Sequence, residues 1–242
     1  MPPIPEHSVS GAFAYSGLGH TIRHFDSVTS TNDVALSERE HGVVYVARAQ
    51  TRGRGRHGHH WISAPGLGLW FSVGLTMPPQ GLTFAAALAV RDGLMPELDA
   101  EIRWPNDLYA SGKKIGGILV EHRNGHSALG IGVNVHHRPE DFPPDLEKPA
   151  ASLAMLSGVA WEAEAVLQRI LGPLNEYVTR LQQGFYAEVH QAWADALGLL
   201  GRRIQRGEVS GKVCAIREDG ALLVETPTGA VRIDSGLIEQ VD

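Results

Sequence analysis

Cysteine is almost absent: Cys214 stands alone among 242 residues. No intrachain disulfide can form, and nothing marks the chain as built for an oxidising compartment, so a reduced cytoplasm is the expected location. No run of roughly 18 apolar residues occurs. The N-terminal stretch MPPIPEHSVSGAFAYSG has no basic start followed by an apolar core. The expectation is a soluble protein with no membrane partner, whose residues 1–19 form an extended lead-in too short for a helix-turn-helix domain. An excess of positive charge is missing as well. Lys and Arg number 21 against 27 Asp and Glu, a net charge of -6, which argues against a protein that coats nucleic acid.

One local absence points the other way. Between Glu40 and Asp92 there is no carboxylate, while Arg48, Arg52, Arg54, Arg56 and Arg91 all fall there. Positive charge is therefore concentrated around the segment GRGRHGHHW, Gly53 to Trp61. The apolar content of 43% and charged content of 20% suit one medium globular domain with a small appendage.

Ser30-Thr31-Asn32-Asp33 offers side-chain oxygens to cap a helix that runs to about Glu40 and stops at Gly42. VVYVARA, Val43 to Ala49, reads as a strand leading into the glycine-arginine loop, and LGLWFSVGLT, Leu67 to Thr76, as a buried strand leading out of it. Leu82 to Leu94 reads as a buried helix and Glu101 to Trp104 as a short strand. After the turn WPND, the segments KKIGGILVEH and SALGIGVNV read as further strands. RPEDFPPDLEKP, residues 138–149, is a proline-rich surface loop. Helical spacing spans Ala160 to Gln183, with a kink expected at Gly172-Pro173, and a second helix covers Phe185 to Leu197. Beyond Gly201 short strands alternate with the turns Asp219-Gly220 and Thr228-Gly229, the texture of a small β-barrel.

Three chemistries compete for GRGRHGHHW. Gly53, Gly55 and Gly58 let backbone N–H groups approach an anion while Arg54 and Arg56 supply bidentate forks, a combination suited to phosphate. It lacks the GKS or GKT of a Walker loop and the helix of a dinucleotide fingerprint. His57, His59 and His60 could contribute to a zinc site, but no second His/Cys cluster stands at ligand spacing. A nucleic-acid patch would need a broad basic face with interleaved aromatics, which the remaining chain does not supply. By itself the loop is equally compatible with a solvated surface segment.

The surrounding motifs narrow the choice. Ser30-Thr31-Asn32, Gln50 followed by Thr51 and GRGR, Trp104-Pro105-Asn106-Asp107, KKIGGILVE at Lys113 to Glu121, and GIGVN at Gly130 to Asn134 together resemble the bacterial biotin protein ligases. The resemblance is strongest over residues 23–135. It implies an α/β (α+β) catalytic domain with a mixed sheet over residues 20–198, followed by an SH3-like barrel over 199–242. It also implies ATP and Mg²⁺, biotin as substrate, and an apo biotin carboxyl carrier protein domain as partner. Biotin would be activated as biotinyl-5'-AMP and passed to a lysine of the carrier. A lipoate-type ligase and a non-catalytic biotinyl-adenylate binder are the alternatives. A homodimer is compatible with exposed sheet edges.

Carried over residue by residue, the resemblance places Ser30, Thr31, Asn32, Gln50, Arg54, Gly55, Arg56 and Lys114 at biotin. It places Arg54, Arg56, Trp61, Lys114 and Asn134 at ATP or the adenylate. Lys114, Arg56 and Asp107 are the catalytic candidates. No metal ligand is assigned, although Asp107 could stand near Mg²⁺. In many members of that family GRGR continues with Arg, Gly, Arg. Here His57 and His59 stand instead, and because histidine titrates near neutrality, retention of the adenylate is expected to depend on pH.

Overall fold

The computed structural model describes residues 17–146 and 148–241. The lead-in assigned to residues 1–19 therefore falls, for residues 1–16, outside the described residues.

Seven strands form one mixed sheet. They are β1 (Thr21–Val28), β2 (Val43–Gln50), β3 (Gly68–Leu75), β4 (Glu101–Arg103), β5 (Asp107–Ala110), β6 (Lys113–Arg123) and β7 (His126–Asn134), in the order β1-β2-β3-β7-β6-β5-β4. The pair β1 and β2 is parallel and the other neighbours are antiparallel. The parallel step follows from the connection, since α1 (Thr31–Glu38) carries the chain back across the sheet between β1 and β2.

Strand alternation assigns the two faces. Leu69, Phe71, Val73 and Leu75 of β3, with Leu129, Ile131 and Val133 of β7, face the main core. There α2 (Leu82–Leu94) packs, ten of its thirteen residues buried. Behind it lie α4 (Ala163–Gln182) and α5 (Tyr186–Leu197), the short α3 (Leu153–Leu156) preceding them. On the other face α1 covers a smaller cluster that includes Phe25, Val34, Ala35, Tyr45 and Ala128. The rest of that face stays open as the floor of a cleft.

The expected kink at Gly172-Pro173 does not divide the helix: α4 runs unbroken with Pro173 inside it. Proline removes one backbone bond, while Val166, Leu167, Ile170, Leu171, Leu174 and Val178 on both sides of it are buried. That continuous apolar stripe keeps both halves packed against the core.

Of the expected small β-barrel, the structure shows the antiparallel sheet. The C-terminal strands β8 (Arg203–Arg206), β9 (Val209–Ile216), β10 (Leu222–Thr226), β11 (Gly229–Ile233) and β12 (Glu239–Gln240) form an open antiparallel sheet, ordered β11-β10-β9-β8-β12. Both tight turns stand where the sequence places them. However, β12 has only two residues and pairs with β8 alone, so its ladder does not meet β11 among the described residues. The β9–β10 turn is held against the first sheet: Trp104 Nε1 donates to Gly220 O at 2.8 Å. The His190 ring lies 2.8 Å from Arg217 O, and Tyr186 bonds Glu218 O. Trp104 thereby links this sheet to the WPND turn. No helix among the described residues is long and apolar enough to cross a membrane.

Two buried histidines give the fold a pH dependence. His126 is 3% exposed, with Nε2 unpartnered. Burial holds it below its ordinary value, and His41, Arg39 and His122 add repulsion. His137 is 2% exposed and is likewise lowered by burial, against the opposing pull of Asp141. A lowered folded value means that the unfolded chain binds more protons. Their stabilising contribution is therefore complete above the unfolded value near ~6.5 and is lost as pH falls toward the folded values. Thermal unfolding between pH 8 and pH 5 should show a falling midpoint, with a shallower slope in His126→Gln. Parallel slopes in the two proteins would remove His126 from the explanation.

Candidate active site

All eleven residues singled out in the sequence line one cleft of about 1320 Å³. Its floor is the open face of β3, β7 and β6, and its construction begins with two glycines. A side chain at Gly130 would overlap the Asn32 amide, and a Cβ at Gly132 would lie 2.9 Å from the Trp61 indole. Their alternate spacing on β7 lets one polar and one aromatic side chain rest directly on the sheet.

At one end sits the start of α1. Ser30 occupies the N-cap position, yet its side chain makes no capping bond. The plain cap reading of STND therefore fails for Ser30, whose hydroxyl remains available. Thr31 N donates to Gln50 Oε1 at 2.9 Å, and Gln50 Nε2 donates to Ser63 Oγ at 2.8 Å, which fixes the amide's orientation. Asn32 Nδ2 donates to Glu121 Oε2 at 2.7 Å and to Leu119 O at 3.2 Å. Ser30, Thr31 and Asn32 are all buried.

The loop after β2 folds over this end. The Arg54 guanidinium reaches Asp33 of α1 at 2.6 Å and Glu121 of β6 at 2.9 Å. The bond to Asp33, reinforced by Glu121, raises Arg54 above its ordinary value despite desolvation. Burial, the largest single influence, would raise Asp33, but the hydrogen bond and charge of Arg54, with Thr29 and Arg52, together outweigh it and hold the carboxyl below the usual range. Arg54 is therefore a fastening for the loop rather than a free anion receptor. Gly55 N donates to His59 O at 2.7 Å and Trp61 N to Gly53 O at 2.9 Å, closing the loop on itself. Its histidines His57, His59 and His60 are exposed. No group of three or more His, Cys, Asp or Glu side chains able to hold a metal occurs among the described residues.

Arg56 is different. Its guanidinium has no hydrogen-bond or ion-pair partner among the described residues. Burial lowers its pKa from the ordinary arginine value, opposed only by the field of Asp107. Desolvating a cation without pairing it costs free energy that an incoming anion can recover. Opposite it, Lys114 Nζ lies 2.7 Å from Asp107 Oδ1 and 5.3 Å from the centre of the Trp61 ring. Asp107 is positioned by the WPND turn, which is pinned to β6 by reciprocal bonds: Asn106 Nδ2 donates to Ile118 O at 2.7 Å, and Ile118 N to Asn106 O at 3.0 Å. Asn134 Nδ2 donates to Ala151 O at 3.1 Å, so that side chain holds the following segment against the cleft. Trp61 meets Trp70 edge to face at 6.3 Å, and its indole N–H is buried with no partner among the described residues.

Sequence reasoning left two residues behind the site without a role, Glu121 and Ser72, which bond its Asn32 and Thr31 side chains. Glu121 closes the quoted KKIGGILVE segment, and Ser72 is the lone hydroxyl in the apolar run of β3. A single polar residue inside a buried strand was the available signal.

The fold and cleft define an α/β ligand-binding domain in which a small polar pocket adjoins two anion-seeking cations beneath a glycine-arginine strap. Residues 24–137 match the Biotin/lipoate A/B protein ligase family. The chain is 34% identical to the Bifunctional ligase/repressor BirA of Bacillus subtilis (strain 168), over 92% of this chain and 74% of that protein. It is 35% identical to the Biotin--[acetyl-CoA-carboxylase] ligase of Mycobacterium tuberculosis (strain ATCC 25618 / H37Rv), over 72% of this chain and 70% of that protein. Among solved structures, the biotin protein ligase from Aquifex aeolicus in complex with biotin and ATP superposes with a TM-score of 0.74 at 27% identity, covering 91% of this chain and 99% of that one. The chain belongs to the Biotin/lipoate A/B protein ligase family.

Proposed function

We propose that this chain is a biotin protein ligase, with a catalytic domain over residues 20–198 and a C-terminal β module from residue 199. It converts biotin and ATP to biotinyl-5'-AMP and pyrophosphate, then transfers the biotinyl group to a lysine of an apo biotin carboxyl carrier protein domain. The observation that carries this reading is the joining, in one cleft, of the Ser30, Thr31 and Gln50 pocket to the cations Lys114 and Arg56. A urea ring bearing N–H donors and a carbonyl suits the first, and a carboxylate meeting an α-phosphate suits the second.

In the first step a biotin carboxylate oxygen attacks the α-phosphorus and the bond to pyrophosphate breaks. Lys114 and Arg56 stabilise the charge that gathers on the α-phosphate oxygens, and Asp107 aims the lysine ammonium. Gly55 keeps the strap backbone close to the bound acid. The Trp61 indole lines the nucleotide side of the cleft, and Asn134 fixes the wall behind it. In the second step the carrier's ε-amine attacks the acyl carbon and AMP leaves. Asp107, which lines the cleft beside Lys114, would accept the amine's proton. Mg²⁺ commonly binds through one or two carboxylates together with substrate phosphates. Asp107 has one oxygen not engaged by Lys114 in an ion pair, so it would hold the ion, which would supply neutralisation of phosphate charge.

Mass spectrometry of an apo carrier domain incubated with ATP, Mg²⁺ and either biotin or lipoate tests the proposal. A gain of one biotinyl group with biotin alone is expected. A gain with lipoate alone, or with neither acid, would overturn it.

A further inference from the structure

The two residues left without a role form a chain of hydrogen bonds behind the pocket. Ser72 is 0% exposed, and its Oγ lies 2.6 Å from Asn32 Oδ1 and 2.7 Å from Thr31 Oγ1. Proton counting sets the direction of each bond. Asn32 Nδ2 faces two acceptors, Leu119 O and the Glu121 carboxylate, so the amide cannot be reversed and Oδ1 must face Ser72. Oδ1 has no proton, so the single proton of Ser72 is spent on it. The contact between Ser72 Oγ and Thr31 Oγ1 then requires the proton of Thr31. That proton is drawn to Ser72 in preference to Gln50 Oε1, which is 3.3 Å away and already accepts from Thr31 N.

We infer that Glu121, Asn32 and Ser72 are positioning residues that fix the polarity of the pocket, compelling Thr31 Oγ1 to present lone pairs to the ligand. The inference rests on the proposed function and deepens it: Ser72 and Glu121 set specificity for an acid whose ring carries an N–H donor. A carboxylate terminus suits this task because it can only accept, so every donor in the chain points toward it. Glu121 also holds Arg54 and hence the strap above the pocket. One side chain therefore sets both the floor polarity and the roof position. A ligand presenting an acceptor, or an apolar atom, at Thr31 leaves buried groups unpaired, which penalises it more strongly than a matched donor is rewarded.

Titration calorimetry with biotin alone, and with biotin methylated on its ureido nitrogens, tests the relay. Wild type should prefer biotin over the methylated analogue by a large factor. Ser72→Ala should bind biotin about 10-fold more weakly, in keeping with loss of a buried hydrogen-bond partner. Its adenylation kcat at saturating biotin and its KM for ATP should stay within about twofold of wild type, the range a binding-only effect allows. Glu121→Gln, which can still accept from Asn32, should retain more biotin affinity than Glu121→Ala. A biotin affinity unchanged in Ser72→Ala, or an equal loss toward biotin and ATP, would overturn the relay. A wild-type chain that takes up no biotin would overturn the function itself, a result distinguishable from either.

Discussion

Lys114→Ala lowers the rate of biotin adenylation by about 10²- to 10³-fold, the loss typical of removing one preorganised charge-stabilising donor. The size of the effect follows from how firmly this lysine is held. Its backbone is bonded on both sides to the segment that ends the proline-rich loop: Lys114 N donates to Pro149 O at 2.9 Å, and Ala151 N donates to Lys114 O at 2.9 Å. Its ammonium stands 2.7 Å from Asp107 and over the Trp61 ring. A cation fixed before the substrate arrives needs little reorganisation as charge develops. Biotin affinity should fall by a smaller factor, because the polar pocket that grips the ring is separate. The exposed neighbour Lys113 supplies the control. Lys113→Ala should adenylate at the wild-type rate, and a Lys114→Ala enzyme that did so would take the charge-stabilising role away from this residue.

The second large effect belongs to Arg56. With a half-buried guanidinium that no carboxylate among the described residues neutralises in an ion pair, Arg56 suits retention of the acyl-phosphate anion after pyrophosphate departs. A charge-assisted hydrogen bond contributes about 1.5–3 kcal/mol, so Arg56→Ala should speed dissociation of biotinyl-5'-AMP by about 10- to 100-fold. Single-turnover formation followed by a chase measures that rate directly. Arg54→Ala should behave differently. It unfastens the strap from Asp33 and Glu121 and should weaken biotin binding as well as adenylate retention. Identical dissociation rates in wild type and Arg56→Ala would show that the arginine does not hold the intermediate.

Strands with unambiguous β-branched and aromatic character, such as β2 and β3, were legible from local composition, as was the amphipathic stripe of α4. The eleven residues chosen from the sequence each lie in a short motif dense in small polar or glycine residues, and the fold gathers them in one cleft. The wiring of the site was not legible. Glu121 meets Arg54 and Asn32 across 67 and 89 residues of chain, and local spacing has no information about such pairings. Arg54 and Arg56 look equivalent in GRGR, yet one is tied to two carboxylates and the other has no ion-pair partner among the described residues, a distinction made by distant residues. The open C-terminal sheet has the same origin. Turn residues encode the β9–β10 and β10–β11 hairpins, whereas closure would require a ladder between β11 and a β12 of two residues.

The central claim is that one cleft joins recognition of the biotin ring to activation of its carboxylate on ATP. Exchange of labelled pyrophosphate into ATP reads that step without the carrier. The account predicts exchange that requires biotin, is not supported by lipoate, and collapses in Lys114→Ala. Exchange that proceeds equally without biotin, or survives in Lys114→Ala, would contradict it.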